Sequence, residues 1–132
     1  IQPRMAKKTK TIGKLKKDLQ VVFNSYIRLR DEGLPCISCG GFSKLQAGHY
    51  FSVGSYNGLR FNEDNVHGEC ARCNCWDESH LITYRRNLES KIGRAKYLKL
   101  NIEADEYKMN GYKFTRMELT ELIELYKQKL KQ

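Results

Sequence analysis

Residues 36–74 read CISCGGFSKLQAGHYFSVGSYNGLRFNEDNVHGECARCN, a stretch that opens and closes on the same device. Cys36-Ile-Ser-Cys39 and Cys70-Ala-Arg-Cys73 are C-x-x-C knuckles separated by 30 residues. Each knuckle can aim two thiolates at one ion, so together they complete a tetrahedral four-cysteine site. Ligand type and spacing favour zinc over two disulfides or free thiols. Four sulfurs leave no open coordination position, so the zinc is expected to be structural. Its binding to the folded chain alone is worth on the order of 10 kcal/mol of folding free energy in small zinc modules. Cys75 is the odd fifth cysteine, read as a small buried or idle thiol. The separating loop is longer than in the commonest zinc ribbons, and it is expected to carry something else.

On either side of this stretch the apolar period is helical. Leu15, Leu19, Val22, Phe23 and Tyr26 recur at three- and four-residue steps, which predicts a helix over 12–33 ended by Gly33 and Pro35. Between the knuckles that period disappears. Glycines at 40, 41, 48, 54, 58 and 68 mark turns, and Leu45–Phe51 and Asn65–Glu69 read as two short strands able to pair. After Cys73, Leu81, Tyr84, Leu88 and Ile92 share a helical face, with Gly93 placed to stop or kink it. Arg94 to Met109 predicts a further helix. Thr115 and Glu118 have the spacing of a capping box; it opens a last helix with a buried stripe of Leu119, Leu122, Ile123, Tyr126 and Leu130. The expected fold class is α+β. A single domain over 12–132 holds a zinc-stapled β core (36–92) between the N-terminal helix and C-terminal helices (94–132), behind a basic arm (1–11).

A chain of 132 residues is long enough for one modest core. With 40% hydrophobic and 30% charged residues it has a soluble globular composition, and no run approaches the ~20 apolar residues that span a bilayer. Ile1 to Lys17 lacks the apolar stretch of a secretory signal, so a cytoplasmic location and no membrane partner are expected. Lys and Arg number 24 against 15 acids, a formal net charge of +9. Arg4, Lys7, Lys8, Lys10, Lys14, Lys16 and Lys17 all precede the first acid, Asp18. Such an arm is the electrostatic footprint of a nucleic-acid binder, since each phosphate contact releases condensed counterions. The plain alternative is a solvated tail that keeps the protein soluble.

Between and beside the knuckles the pattern becomes specific. Cys36-Ile-Ser-Cys39-Gly, Ala47-Gly-His-Tyr50, Leu59-Arg-Phe-Asn-Glu-Asp-Asn65 and His67-Gly-x-Cys70-Ala-x-Cys73-Asn74, with the upstream Tyr26-Ile-Arg-Leu-Arg-Asp31, resemble the phage NinG (Rap) recombination endonucleases. More broadly, the order C-x-x-C, strand ending in His, Asn, C-x-x-C-Asn is similar to the HNH or ββα-metal (His-Me finger) nucleases, including junction resolvases of the phage endonuclease VII type. The likeness spans roughly residues 12–132 and is densest from 26 to 92.

The resemblance implies a DNA endonuclease inside a bacterial or phage-infected cell, with Mg2+ or Mn2+ as catalytic cation and branched or recombination-intermediate DNA as substrate. His49 matches the general base, a task suited to an imidazole near its unperturbed pKa. Asn74 matches a ligand of the cation that offsets charge on the scissile phosphate. Asn65 matches the middle Asn, which ties the loop to the strand and orients the histidine. Many of these nucleases carry Asp just before the base, whereas this chain has Gly48. His67 is the expected substitute ligand, with Asp77 and His80 behind it; the plain reading of His67 is a packed strand residue. Lys7, Lys8, Lys10, Lys14, Lys16, Lys17, Arg60 and Arg72 are the expected phosphate contacts, with Arg85 and Arg86 nearby. Junction resolution takes two cuts, so a homodimer is attractive, and recombination proteins are further expected partners. The alternatives are a non-catalytic zinc-finger DNA-binding or recombination-accessory protein, for which Gly48 speaks most strongly, and a zinc module for RNA or protein.

Overall fold

The computed structural model describes residues 9–77 and 79–132. In chain order they form α1 (Ile12–Arg30), β1 (Leu45–His49), β2 (Val66–Cys70), α2 (Ala71–Cys75), α3 (His80–Ile92), α4 (Arg94–Asn110) and α5 (Arg116–Leu130). Single 3-10 turns at Asn57–Leu59 and Glu63–Asn65 punctuate the connection between the strands. Many helices, a two-stranded sheet and a four-cysteine cluster among the described residues make this an α+β fold.

Thr11 starts α1 by accepting a hydrogen bond from the Lys14 N–H at 3.1 Å. Leu15, Leu19, Phe23 and Ile27, spaced by four, form its buried line. The helix ends at Arg30, short of the expected 33, because Asp31 becomes its C-cap and is drawn into the interior. Helix α5 packs along α1. Its cap is Thr115, which accepts from the Glu118 N–H at 3.1 Å. The return half of the capping box is not made, since the Glu118 carboxylate instead accepts from the Tyr112 hydroxyl at 2.7 Å. Leu119, Ile123 and Tyr126 are buried against α1, and Phe23 meets Phe61 and Tyr126 edge-on at centroid distances of 5.8 and 4.9 Å. The α5 stripe is therefore intramolecular core, not a free dimer face.

The strands pair antiparallel from Leu45↔Cys70 to His49↔Val66. Ala47 and Val66 turn one face of the sheet toward the α1–α5 core. The pleat sends Gly48, His67 and Glu69 to the other face, where the Tyr84 hydroxyl of α3 donates to the Gly48 carbonyl at 2.6 Å. All five residues of β2 are buried, because both faces are covered. Helices α3 and α4 pack together around Ile37, Leu59, Tyr84, Leu88, Tyr97 and Leu100. Gly93 separates them at φ 89°, a left-handed conformation open to glycine. Leu81 departs from its expected stripe and is exposed: α3 begins only at His80, and in that first turn the inward position belongs to the histidine ring.

A buried ionic knot joins α1, β2 and α3. Arg30 donates to Asp31, to the carbonyls of Glu63 and Val66, and to His67 Nδ1. Asp31 in turn accepts from the Gly68 N–H at 2.7 Å and from Lys91 Nζ at 2.8 Å. These cations hold the Asp31 carboxyl well below the usual carboxylate range against the opposing effect of burial. Among the described residues no helix is long and apolar enough to cross a membrane.

Candidate functional site

The two knuckles converge as their spacing requires. The sulfurs of Cys36, Cys39, Cys70 and Cys73 all lie within 4.8 Å of one another. Cys39 Sγ and Cys70 Sγ are 3.8 Å apart, about the edge of a tetrahedron with Zn–S bonds near 2.3 Å. Backbone N–H groups of Cys39, Gly41 and Cys70 point at knuckle sulfurs at 3.3–3.5 Å, a setting that favours thiolate. The Gly41 N–H helps bring Cys39 down to about 7, whereas burial raises Cys36 and Cys73. All five cysteines are free of disulfides, and the four together can hold a zinc ion. Cys75 is exposed rather than buried, with its thiol 3.6 Å from Gln46 Oε1.

His49 closes β1. Its Nε2 lies 2.9 Å from the Arg60 carbonyl, an acceptor, so that nitrogen carries the proton and Nδ1 keeps its lone pair. Nδ1 has no hydrogen-bond partner among the described residues. Burial, with a smaller push from the Arg60 charge, holds the ring below its ordinary value of 6.5. Asn65, fully buried, pins the inter-strand loop from inside: its side chain accepts from the Phe51 N–H at 2.8 Å and donates to the carbonyls of Phe51 and Leu59.

His67 corrects an expectation. Its Nε2 donates to the Asp64 carbonyl at 2.9 Å and its Nδ1 accepts from Arg30 at 3.0 Å. Both nitrogens are engaged, so no lone pair is left for a metal. Burial and the Lys91 and Arg30 charges pull its pKa down to about 3. Asp77 folds back on Ser79.

The carboxylate beside Asn74 is one that sequence reasoning passed over, Glu69. It sits on the same face as Gly48 and is fully buried. Its Oε2 accepts from the Ser38 hydroxyl and lies 2.5 Å from His80 Nδ1, while its Oε1 has no partner among the described residues. A Cβ placed on Gly48 would collide with Glu69 Oε1 and stand 3.2 Å from Asn74 Oδ1. Asn74 spends its Nδ2 on Gln46 Oε1 at 2.8 Å, which turns its own carbonyl oxygen toward Gly48. Two hard oxygens thus face one small space kept open by a glycine.

The basic residues divide. Lys7 and Lys8 lie outside the described residues. Lys10 and Lys14 each pair with Asp18 at 2.9 Å, and Lys17 is exposed on α1. Lys16 stands over the Phe114 ring. One turn on, Gln20 accepts from Arg60 Nε at 2.8 Å, and the Arg60 carbonyl holds His49. Hydrogen bonds thus link α1, one turn beyond Lys16, through Arg60 to His49. Arg72 lies elsewhere, exposed beside the cysteine cluster, and Arg85 donates to the Tyr97 hydroxyl on the α3–α4 side.

Fold and site define a helix-rich α+β protein with a small two-stranded sheet and a four-cysteine cluster that can hold a zinc ion. The family described as Bacteriophage Lambda NinG protein matches residues 2–132, and the chain belongs to that family. It is 38% identical over 117 residues to "Protein ninG" of Escherichia phage lambda, covering 87% of this chain and 55% of that protein. Against the Salmonella phage P22 protein of the same name the identity is again 38%, with the same coverage; against that of Escherichia phage 933W it is 37%, covering 87% and 56%. The chain spans about half the length of these curated relatives. No solved structure matches it.

Proposed function

We propose that this NinG family chain is an HNH-type, metal-dependent DNA endonuclease acting on branched or recombination-intermediate DNA. The observation that carries the reading is the His49 ring. A backbone carbonyl fixes its tautomer, burial keeps it neutral near pH 7, and Nδ1 is left free to accept a proton. In the reaction a water oxygen attacks phosphorus as its proton passes to His49 Nδ1, and the bond to O3′ breaks; O3′ takes a proton from solvent, leaving a 3′-hydroxyl and a 5′-phosphate end. Asn74 Oδ1, a hard oxygen freed by the Asn74–Gln46 bond, fits a ligand of Mg2+ or Mn2+. Such a cation, when bound, offsets charge on the scissile phosphate and the leaving oxygen. Zinc at the four cysteines is closed to chemistry and structural. Because the pleat sends residues 48 and 49 to opposite faces, the scissile phosphate would lie across the end of β1, with Lys16 and Arg60 along the approach.

Gly48 in the place of an expected Asp favours the rival, a non-catalytic zinc-finger protein. A cleavage assay on linear, forked and four-way DNA with Mg2+, Mn2+ or EDTA separates the two. The nuclease reading expects metal-dependent, EDTA-sensitive cutting of branched DNA that His49→Ala slows by about 10²–10⁴. Binding without cutting under every condition would establish the rival instead.

A further inference from the structure

We propose that Glu69 Oε1 and Asn74 Oδ1 together ligate a divalent cation, and that Gly48 is the cradle that keeps their shared space open. The proposal deepens the nuclease reading, on which it rests for the cation's purpose, by supplying the carboxylate missing at position 48.

The Glu69 carboxylate is held asymmetrically. Ser38 and His80 both act on Oε2, which orients the group and leaves Oε1 as a buried oxygen with no partner among the described residues. Glu69 is fully buried, and its one ionic partner among those residues is His80, which meets Oε2 and is a cation only when protonated; no lysine or arginine reaches it. Burying a carboxylate without a compensating cation is costly, and the nearby cations Arg30 and Lys91 are committed to Asp31. The unpaired oxygen reaches the very point that a Gly48 Cβ would occupy, and the Asn74 carbonyl oxygen stands 3.2 Å from that same point. A carboxylate and an amide oxygen, hard donors without sulfur or imidazole, select Mg2+ or Mn2+ over softer metals. The strand explains the exchange of residues. An Asp at position 48 and a Glu at position 69 would compete for one space, so a chain that brings the carboxylate from β2 needs glycine on β1. His80, expected as a fallback ligand, is a positioning residue that holds Oε2.

The test is direct Mn2+ binding to zinc-loaded protein, with free Mn2+ read by electron paramagnetic resonance. Wild type is expected to bind one Mn2+ per chain beyond its zinc. Glu69→Gln keeps the shape and removes the charge, and Gly48→Ala fills the cradle. Each is expected to bind Mn2+ at least tenfold more weakly while keeping its zinc. Wild-type affinity in a folded Glu69→Gln, or no Mn2+ binding by wild type, would overturn the ligand assignment. Should both variants misfold, wild type alone decides. Bound Mn2+ is expected to broaden the amide NMR signals of Gly48, Glu69 and Asn74 first, and first broadening at exposed acids of α5 such as Glu121 and Glu124 would refute the site. Cleavage tells its failure from that of the nuclease reading. DNA cutting with the same Mg2+ midpoint in Glu69→Gln removes the ligand and spares the nuclease. Mn2+ held at this site by a protein that cuts no DNA removes the nuclease and spares the ligands.

Discussion

His49 and His67 are two residues of one type, 18 positions apart in the chain, that the fold treats differently. Burial lowers the pKa of both, but only His49 keeps a nitrogen free. For catalysis the neutral ring is the active form. With its pKa below 6.5, the acid limb of kcat/KM against pH is expected to fall below pH 6.5; an acid limb above it would remove His49 as base. His49→Ala is expected to lower kcat by about 10²–10⁴, with zinc content and DNA affinity kept. For His67 the consequence is stability. Its folded pKa, about 3, is below the ordinary 6.5, so between those values the unfolded chain binds a proton that the folded one refuses. Stability therefore falls as pH drops from 6.5 toward 3, by up to about 1.4 kcal/mol per pH unit from this group. Urea denaturation at pH 7 and pH 4.5 checks it: wild type should lose more stability than His67→Gln, and equal losses would contradict the assignment. The residue scale also marks where sequence reading ends. The four cysteines, His49 and Asn74 stand in spaced motifs, whereas Glu69 is one acid among 15. Its meaning lies in an absent Cβ on the neighbouring strand, which only pairing reveals.

Elements were legible where one period governs a whole segment. The four-residue line Leu15, Leu19, Phe23 and Ile27 marks α1 because one face is buried along its full length, and the Thr115 cap places the start of α5. The strands were harder, being five residues each and, in β2, buried throughout, so no alternation announces them. Their pairing is short for a sheet standing alone, since two strands are marginal without support. The support comes from α1 on one face, α3 on the other, and the cysteine cluster at the Leu45–Cys70 end. If zinc fills that cluster, its removal should cost more than any single core contact. Cys70→Ser is expected to lose zinc and to lower the melting temperature together, with the loss on the order of 10 kcal/mol that zinc supplies in small modules. That is comparable with the whole stability of a small domain, so the variant should be largely unfolded at 37 °C. A Cys70→Ser protein with wild-type melting and no zinc would show that packing alone holds the sheet.

At the scale of the molecule the governing quantity is a net charge of +9 and how much of it is available to phosphate. Composition could count the cations but could not show which are already paired. Lys10 and Lys14 share Asp18; the three together carry a net charge of +1, and each ammonium has to give up its carboxylate contact to meet a phosphate. Lys16 has no acidic partner among the described residues, and Arg60 is bound by a neutral amide; their full charges remain for phosphates. Each phosphate contact contributes about 0.9 to the slope of log Kobs against log salt on duplex DNA. Lys16→Ala and Arg60→Ala are therefore each expected to flatten that slope by about 0.9, and Lys14→Ala by clearly less. Arg60→Ala keeps the backbone carbonyl that holds His49, so its effect should fall on binding before chemistry. Fluorescence anisotropy with four-way and duplex DNA over a range of salt concentrations measures all three slopes. Unchanged slopes for Lys16→Ala and Arg60→Ala would mean that DNA does not run along the line from α1 to His49.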